Sequence, residues 1–123
     1  MTQILVVEDQ PELRKLMRMT LAQVDCDIAE AVDGASGWDQ ALRVRPDVVL
    51  LDIMMPGDLD GLELCRRIKA DDRTRAAKVV LVSARGHRND MSIGREAGAD
   101  DYLLKPFSPS RLVEVIQRLS APG

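Results

Sequence analysis

The side chains best suited to chemistry are acids that directly follow apolar runs. Val48–Leu51 is a run of four apolar residues that ends on Asp52, and Ile4–Val7 ends on Glu8 and Asp9. A run without a polar face is typical of a strand buried on both sides of a parallel sheet. Ligands bind beyond the carboxyl ends of such strands, so these carboxylates stand where a site is expected.

Two further polar residues end predicted strands. Ser83 closes the apolar run Val79–Val82, and Lys105 follows the short run Asp101–Leu104. Taken alone, the serine has an ordinary interpretation as a turn residue and the lysine as a solvated surface group. Their placement at strand ends, together with the acids, favours one shared site.

Three carboxylates and one ammonium in one crevice indicate a site for a hard divalent cation. Like charges repel at close range, and a divalent ion bound by oxygens neutralises them. Mg²⁺ fits better than Ca²⁺, because it keeps several waters and accepts oxygens from a phosphate substrate. Asp52 beside such an ion would attack phosphorus while Lys105 stabilises the charge, which gives an aspartyl phosphate.

Helical patterns follow each predicted strand. Asp9, Pro11 and Glu12 resemble the start of the first helix, with Asp9 as its N-cap. The fourth helix, over residues 88–97, has a poor apolar stripe and contains Gly94, so we expect it to be the loosest element. The apolar stripes of the other four helices are Leu13, Leu16, Met17, Thr20 and Leu21; Ala35, Trp38, Ala41 and Leu42; Leu64, Cys65 and Ile68; and Leu112, Val113, Ile116 and Leu119.

Five strand–helix units predict an α/β fold with a parallel sheet and helices on both faces, that is, a doubly wound (βα)5 domain. The flavodoxin-like strand order 2-1-3-4-5 fits five strands, and its switch point lies between the first and third strands. Glu8, Asp9 and Asp52 should therefore converge there. Ser83 and Lys105 would reach the same edge from the fourth and fifth strands.

Length and composition predict a single globular domain over residues 1–123. The chain has 17 basic and 20 acidic residues, a net charge of −3 and one residue each of Trp, Tyr and Phe, without a basic tract. This balance argues against nucleic acid as a direct partner, and no segment predicts contact with a membrane. Cys26 and Cys65 lack metal-type spacing and no secretory segment precedes them, so we expect reduced thiols and a cytoplasmic protein.

Five motifs together form a specific signature: Val6–Asp9, Leu51–Pro56, Asp60–Gly61, Val82–Ala84 and Ala97–Phe107. With these motifs the chain resembles the receiver domain of response regulators in two-component signalling. The resemblance implies that the acid after the third strand accepts a phosphoryl group from a phosphohistidine on a sensor histidine kinase or a histidine phosphotransfer protein. It also implies a signalling phosphoacceptor that promotes its own phosphorylation and dephosphorylation, and not an enzyme in the ordinary sense.

The resemblance also assigns roles to individual residues. It implies that the Met54 carbonyl completes a Mg²⁺ site formed by Glu8, Asp9 and Asp52. Ser83 and Lys105 would bind the phosphoryl oxygens, and the Lys105–Pro106 bond is expected to be cis. The resemblance further implies that phosphorylation would draw Ser83 inward and that Tyr102 would follow. That movement would change the surface of the fourth helix, fifth strand and fifth helix, which would bind an effector protein, an output domain or a second copy in a homodimer.

Other protein classes fit less well. An aspartate-nucleophile phosphatase or dehalogenase needs Asp-x-Asp, and Met54 occupies the third position. A flavin or nucleotide module needs phosphate-cradling glycines after the first strand, where Glu8 and Asp9 begin an acidic segment. A pseudo-receiver that serves as an interaction scaffold without phosphate is the remaining alternative, and the complete set of five site residues argues against it.

Three further residues, Met54, Asp58 and Arg85, bear on the expected site. The loop before Asp60 is one residue longer than the commonest receiver spacing, which leaves the place of Asp58 open. Met54 and Arg85 would flank the path of a water that attacks the phosphorylated aspartate. Because neither side chain is a base, neither should assist hydrolysis.

Overall fold

The computed structural model describes residues 2–55, 59–83 and 88–120, with side chains described outside 88–91. Asp58 and Arg85 lie outside the described residues, so their predicted positions stay predictions. Five strands alternate with five helices: β1 (Thr2–Val7), α1 (Pro11–Leu21), β2 (Cys26–Ala31), α2 (Gly34–Val44), β3 (Val48–Asp52), α3 (Gly61–Ala70), β4 (Lys78–Ser83), α4 (Arg88–Glu96), β5 (Asp101–Leu104) and α5 (Pro109–Ser120).

The strands form one parallel sheet in the order β2-β1-β3-β4-β5, which confirms the predicted doubly wound fold. In the central pair, Val7 of β1 lies opposite Leu51 of β3. Every residue of β3 is buried, as expected for a strand covered on both faces. This register brings the residues that follow Val7 beside Asp52, the last residue of β3.

Alternate residues of the central strands enter two separate cores. Leu51 belongs to a core with Leu64 of α3 and residues of α2, and its neighbour Leu50 belongs to a core with Ile116 of α5 and residues of α1. Full burial of a side chain of this size stabilises the fold by roughly 1.5–3 kcal/mol. The two cores hold β3 from both sides and fix the position of its last residue.

Side-chain hydrogen bonds cap the N-termini of two helices. Asp33 caps α2 by accepting a hydrogen bond from the Ser36 amide at 2.8 Å, and Asp60 caps α3 by accepting from the Glu63 amide at 2.9 Å. The predicted N-cap of α1 is wrong. Gln10, and not Asp9, is the N-cap of that helix, and its side chain makes no capping hydrogen bond.

Several positions of the predicted apolar stripes also differ from the structure. Leu16 is 44% exposed on α1, and Ala35 is exposed on α2. Gly37 of α2 is buried, and its neighbours pack so closely that a Cβ there would lie 2.9 Å from Leu64 and 3.1 Å from Val7. Val115, absent from the predicted stripe of α5, is buried. A glycine that permits close packing has no apolar side chain by which a periodic pattern could detect it.

Gly94 has a packing role in addition to its low helix propensity. A Cβ at this position would lie 2.9 Å from Leu81 of β4 and 3.4 Å from the Tyr102 ring of β5. The glycine therefore lets α4 approach the sheet at the point where Tyr102 lies. That α4 is the loosest element stays a prediction.

Two remaining features of the fold are the hydrophobicity of its helices and the state of its two cysteines. Within the described segments, no helix combines the length and hydrophobicity that crossing a bilayer requires. Cys65 is buried, Cys26 is half-buried, and both are free thiols. Burial raises the pKa of Cys65 to about 11, so its thiol stays protonated at neutral pH.

Candidate functional site

Three carboxylates meet beyond the carboxyl ends of β1 and β3. One oxygen from each of Glu8, Asp9 and Asp52 lies within 4.8 Å of the other two. Glu8 and Asp52 are 0% and 3% exposed, and Asp9 is half-buried. Asp9 thus contributes to this cluster instead of capping α1. The three acids therefore meet at the switch point between β1 and β3, as predicted from the sequence.

Lys105 joins the cluster from β5. Its Nζ lies 3.2 Å from Glu8 Oε1 and 3.3 Å from Asp52 Oδ2, and its side chain is 17% exposed. The backbone amide of Lys105 donates to the Ser83 carbonyl at 2.7 Å, which ties the lysine to the end of β4. The peptide bond from Lys105 to Pro106 is cis, as expected. One ammonium therefore bridges acids from two different strands.

The charge of the cluster is unbalanced, because three carboxylates share one ammonium. Burial and the nearby Asp52 together raise the pKa of Glu8 to about 7, although the Gln10 amide, which donates to Glu8 Oε2 at 3.2 Å, lowers it. Close to neutral pH this group therefore exchanges a proton readily. Oxygen donors with a surplus of negative charge suit a hard divalent cation.

The carboxylate of Asp52 is held in a fixed orientation. Its Oδ1 accepts a hydrogen bond from the Met54 amide at 3.0 Å, while its Oδ2 is the atom close to Lys105. Gly61 begins α3 directly against this residue, since a Cβ on Gly61 would lie only 2.1 Å from the Asp52 carbonyl oxygen. The Met54 side chain is 72% exposed beside the cluster. The loop and the helix after β3 thus orient this buried acid.

Ser83 and Tyr102 lie on β4 and β5, the two strands beyond β3. Ser83 is the last residue of β4, is 2% exposed and lies opposite Leu104 in the β4–β5 ladder. Tyr102 is half-buried on β5 opposite Leu81, with its ring close to Gly94 of α4. Ser83 therefore follows Val82, the residue opposite Asp52 in the sheet, and the Tyr102 ring lies against α4.

Sequence reasoning did not identify Arg14 as a site neighbour. Its guanidinium donates to the Glu8 carbonyl at 2.9 Å and to Glu30 Oε1 of β2 at 3.2 Å. A charged residue on an amphipathic helix is ordinarily predicted to be solvated. Only the structure shows that this one turns back toward the end of β1.

This chain matches a known protein family in sequence. The family model described as the response regulator receiver domain matches residues 4–117. The transcriptional regulatory protein ResD of Bacillus subtilis is 41% identical over 120 residues, which cover 98% of this chain and 47% of ResD. The chain spans about half the length of the relatives it matches.

Solved receiver domains have the same fold. The receiver domain of sensor histidine kinase PA1611 from Pseudomonas aeruginosa, with a magnesium ion coordinated in its active-site cleft, gives a TM-score of 0.88 at 30% identity and 98% coverage of each chain. The BeF3-activated N-terminal receiver domain of Klebsiella pneumoniae RstA gives 0.87 at 32% identity, with 97% of this chain and 99% of that one covered. The chain therefore belongs to the response regulator receiver family, whose members are signalling proteins of two-component systems.

Proposed function

We propose that Asp52 accepts a phosphoryl group from a phosphohistidine donor, with Mg²⁺ bound beside it. The observation that carries this proposal is the convergence of Glu8, Asp9, Asp52 and Lys105 at one edge of the sheet. A buried carboxylate with an ammonium 3.3 Å away can attack phosphorus and have the developing charge stabilised.

The donor set supports Mg²⁺. Glu8, Asp9 and Asp52 would hold the ion, and the Met54 carbonyl would complete the protein ligands. Three carboxylate oxygens within 4.8 Å fit an ion that takes few protein ligands and keeps several waters. When bound, Mg²⁺ neutralises the carboxylates and polarises the phosphoryl oxygens. The magnesium ion described for the PA1611 receiver domain supports the same choice.

The transfer itself requires little from the protein beyond positioning. An oxygen of Asp52 forms a bond to phosphorus while the bond from phosphorus to the donor imidazole nitrogen breaks. The electron pair stays on the imidazole, which takes up a proton from solvent. Lys105 balances charge on the phosphoryl oxygens, and the Ser83 hydroxyl donates a hydrogen bond to one of them.

Incubation with acetyl phosphate and Mg²⁺, followed by intact mass measurement, tests this function. We expect one added phosphoryl group per chain and none when a chelator is in excess. A pseudo-receiver would remain unmodified under the same conditions. An adduct that forms equally fast in chelator would contradict the metal requirement.

The pKa of Glu8 predicts that Mg²⁺ binding depends on pH. Its folded-state value of about 7 is above the ordinary 4.5, so between these two values the folded protein holds a proton that Mg²⁺ must displace. The affinity for Mg²⁺ should therefore rise about tenfold from about pH 6 to about pH 8 and level off above. In the metal-free protein the same group's contribution to stability is present below its ordinary pKa and is lost as the pH rises through 7.

Calorimetric titration with Mg²⁺ at several pH values would measure this dependence. Glu8→Gln should bind Mg²⁺ more weakly but with a flatter pH profile, because the competing proton is gone. Glu12→Gln, at an exposed position on α1, is the matched control and should keep the wild-type profile. An affinity that is equal at about pH 6 and about pH 8 would show that the Glu8 proton does not compete with the metal.

A groove beside Lys105 suits the protein that carries the phosphohistidine. It has a volume of about 580 Å³ and is lined by residues of α1 and of the loop after β5, among them Leu13, Leu16 and Phe107. Leu16 is 44% exposed there, so a partner could bury it. A sensor histidine kinase or a histidine phosphotransfer protein that docks on this groove would bring its imidazole close to the acid cluster.

The output surface follows from the position of Ser83 and Tyr102. A phosphoryl oxygen on Asp52 would draw the Ser83 hydroxyl toward it, and the Tyr102 ring would enter the space beneath α4. That change would alter the surface of α4, β5 and α5 for an effector, an output domain or a homodimer partner. ResD is a transcriptional regulator, which supports an output domain in its case. That this domain itself contacts no nucleic acid stays a prediction.

Backbone amide shifts with and without an acyl-phosphate mimic would test the proposed output. We expect shifts across residues 92–104 as well as in the loops next to Asp52. Ser83→Ala should confine the shifts to those loops, whereas Ser92→Ala, at an exposed position on α4, should leave the wild-type pattern. Shifts that never reach Tyr102 in the wild type would show that the proposed relay is wrong.

A further inference from the structure

Arg14 contacts the backbone that carries two of the three clustered acids. β1 ends at Val7, so the peptide between Glu8 and Asp9 lies beyond the strand. The Glu8 amide still donates to the Ala31 carbonyl at 3.0 Å, and the Glu8 carbonyl accepts from Arg14 Nη1 at 2.9 Å. Since one peptide links both acids, its orientation sets the direction of both side chains.

Glu30 holds Arg14 in place. Its Oε1 lies 3.2 Å from Arg14 Nε, and its Oε2 lies 3.0 Å from Arg18 Nη1. The Arg14 side chain is 20% exposed, against 54% for Arg18. Two donors of one planar guanidinium thus connect β2 to the end of β1, a geometry that a lysine ammonium reproduces poorly.

We infer that Arg14 is a positioning residue for the metal site, acting through the Glu8–Asp9 peptide and not through contact with the ion. The inference rests on the proposed Mg²⁺ function and extends it. Groups that orient metal ligands from outside the coordination sphere commonly change metal affinity by about 10–100-fold when removed. Arg14 meets that description, because its hydrogen bond fixes a backbone group of a ligand residue.

Arg18 provides a matched control. Both arginines lie on α1 and pair with Glu30, but only Arg14 reaches the Glu8 carbonyl. If Arg14 acted only through its ion pair with Glu30, replacing either arginine with alanine would therefore change the Mg²⁺ affinity by a similar factor. Partly exposed ion pairs contribute little to stability, so neither loss should unfold the protein.

Calorimetric Mg²⁺ titration of Arg14→Ala and Arg18→Ala tests the inference. Arg14→Ala should weaken binding about tenfold, and Arg18→Ala should stay within about twofold of wild type. With acetyl phosphate, Arg14→Ala should need more Mg²⁺ for half-maximal labelling and keep the wild-type rate at saturation. Arg14→Lys should recover only part of the affinity. If Arg14→Ala proves unstable, Glu30→Gln, which releases Arg14 from its anchor, should give a smaller weakening in the same direction.

Metal-free amide spectra give a second measurement that does not depend on activity. Arg14→Ala should shift the amide signals of Asp9 and Gln10, and Arg18→Ala should not. Equal effects of the two alanine variants, or unchanged Mg²⁺ affinity in a folded Arg14→Ala, would overturn the inference and leave the proposed function intact. A wild-type protein that neither binds Mg²⁺ nor accepts phosphoryl would overturn both.

Discussion

Asp52→Asn is expected to reduce phosphoryl acceptance from acetyl phosphate by about 1000-fold or more. An amide oxygen is a poor nucleophile, and the loss of one negative charge also weakens the Mg²⁺ site. The variant should fold, because an asparagine oxygen can still accept the hydrogen bond from the Met54 amide that Asp52 Oδ1 now accepts. Intact mass after incubation with Mg²⁺ measures the difference directly.

Asp60→Asn is the matched control for this substitution. Asp60 lies eight positions further along and caps α3, a role that asparagine fills about equally well. This variant should accept phosphoryl at the wild-type rate with an unchanged unfolding temperature. An adduct on Asp52→Asn at the wild-type rate would show that another side chain is the acceptor.

Lys105→Ala should slow phosphorylation by about 100-fold, the usual cost of removing one preorganised group that stabilises developing charge. It should also destabilise the metal-free protein by roughly 3 kcal/mol at about pH 8, because Glu8 and Asp52 lose the ammonium that pairs with both. Mg²⁺ should restore most of the stability, since it neutralises the carboxylates, but not the rate.

The two effects of Lys105→Ala separate charge balance from chemistry. Thermal unfolding with and without Mg²⁺ measures the first, and the rate of mass gain at saturating Mg²⁺ measures the second. Lys78→Ala, at an exposed position on β4, should change neither. A Lys105→Ala protein that reacts at the wild-type rate would remove the lysine from the proposed mechanism.

The fold was predictable because its signals are local and repeated. Most of the strands are short apolar runs followed by a helical stripe, and few strand orders suit five strand–helix units. The neighbourhood of Asp52 and Lys105 followed from that order, since Asp52 ends β3 and Lys105 directly follows β5. A polar residue at the end of a buried strand is visible in sequence whether or not its partners are.

The remaining features depend on contacts that sequence does not display. Asp9 precedes a helix, a position that suits an N-cap and a cluster ligand equally, and only the geometry distinguishes them. Arg14 has the pattern of a solvated helix residue, and its bond to the Glu8 carbonyl depends on how α1 packs against β1. From the sequence, Gly94 could be interpreted only through its low helix propensity. Its closeness to Tyr102 depends on how α4 packs on the sheet.

The bond between Lys105 and Glu8 joins residues 97 positions apart in the chain. Contacts of such sequence separation are slow to form, because closing a long loop costs entropy before the contact is gained. A nascent chain that ends after β4 already contains Glu8, Asp9 and Asp52 but not the lysine that pairs with two of them. Synthesis of β5 therefore completes the edge of the sheet and brings in the ammonium that lies within 3.3 Å of both Glu8 and Asp52.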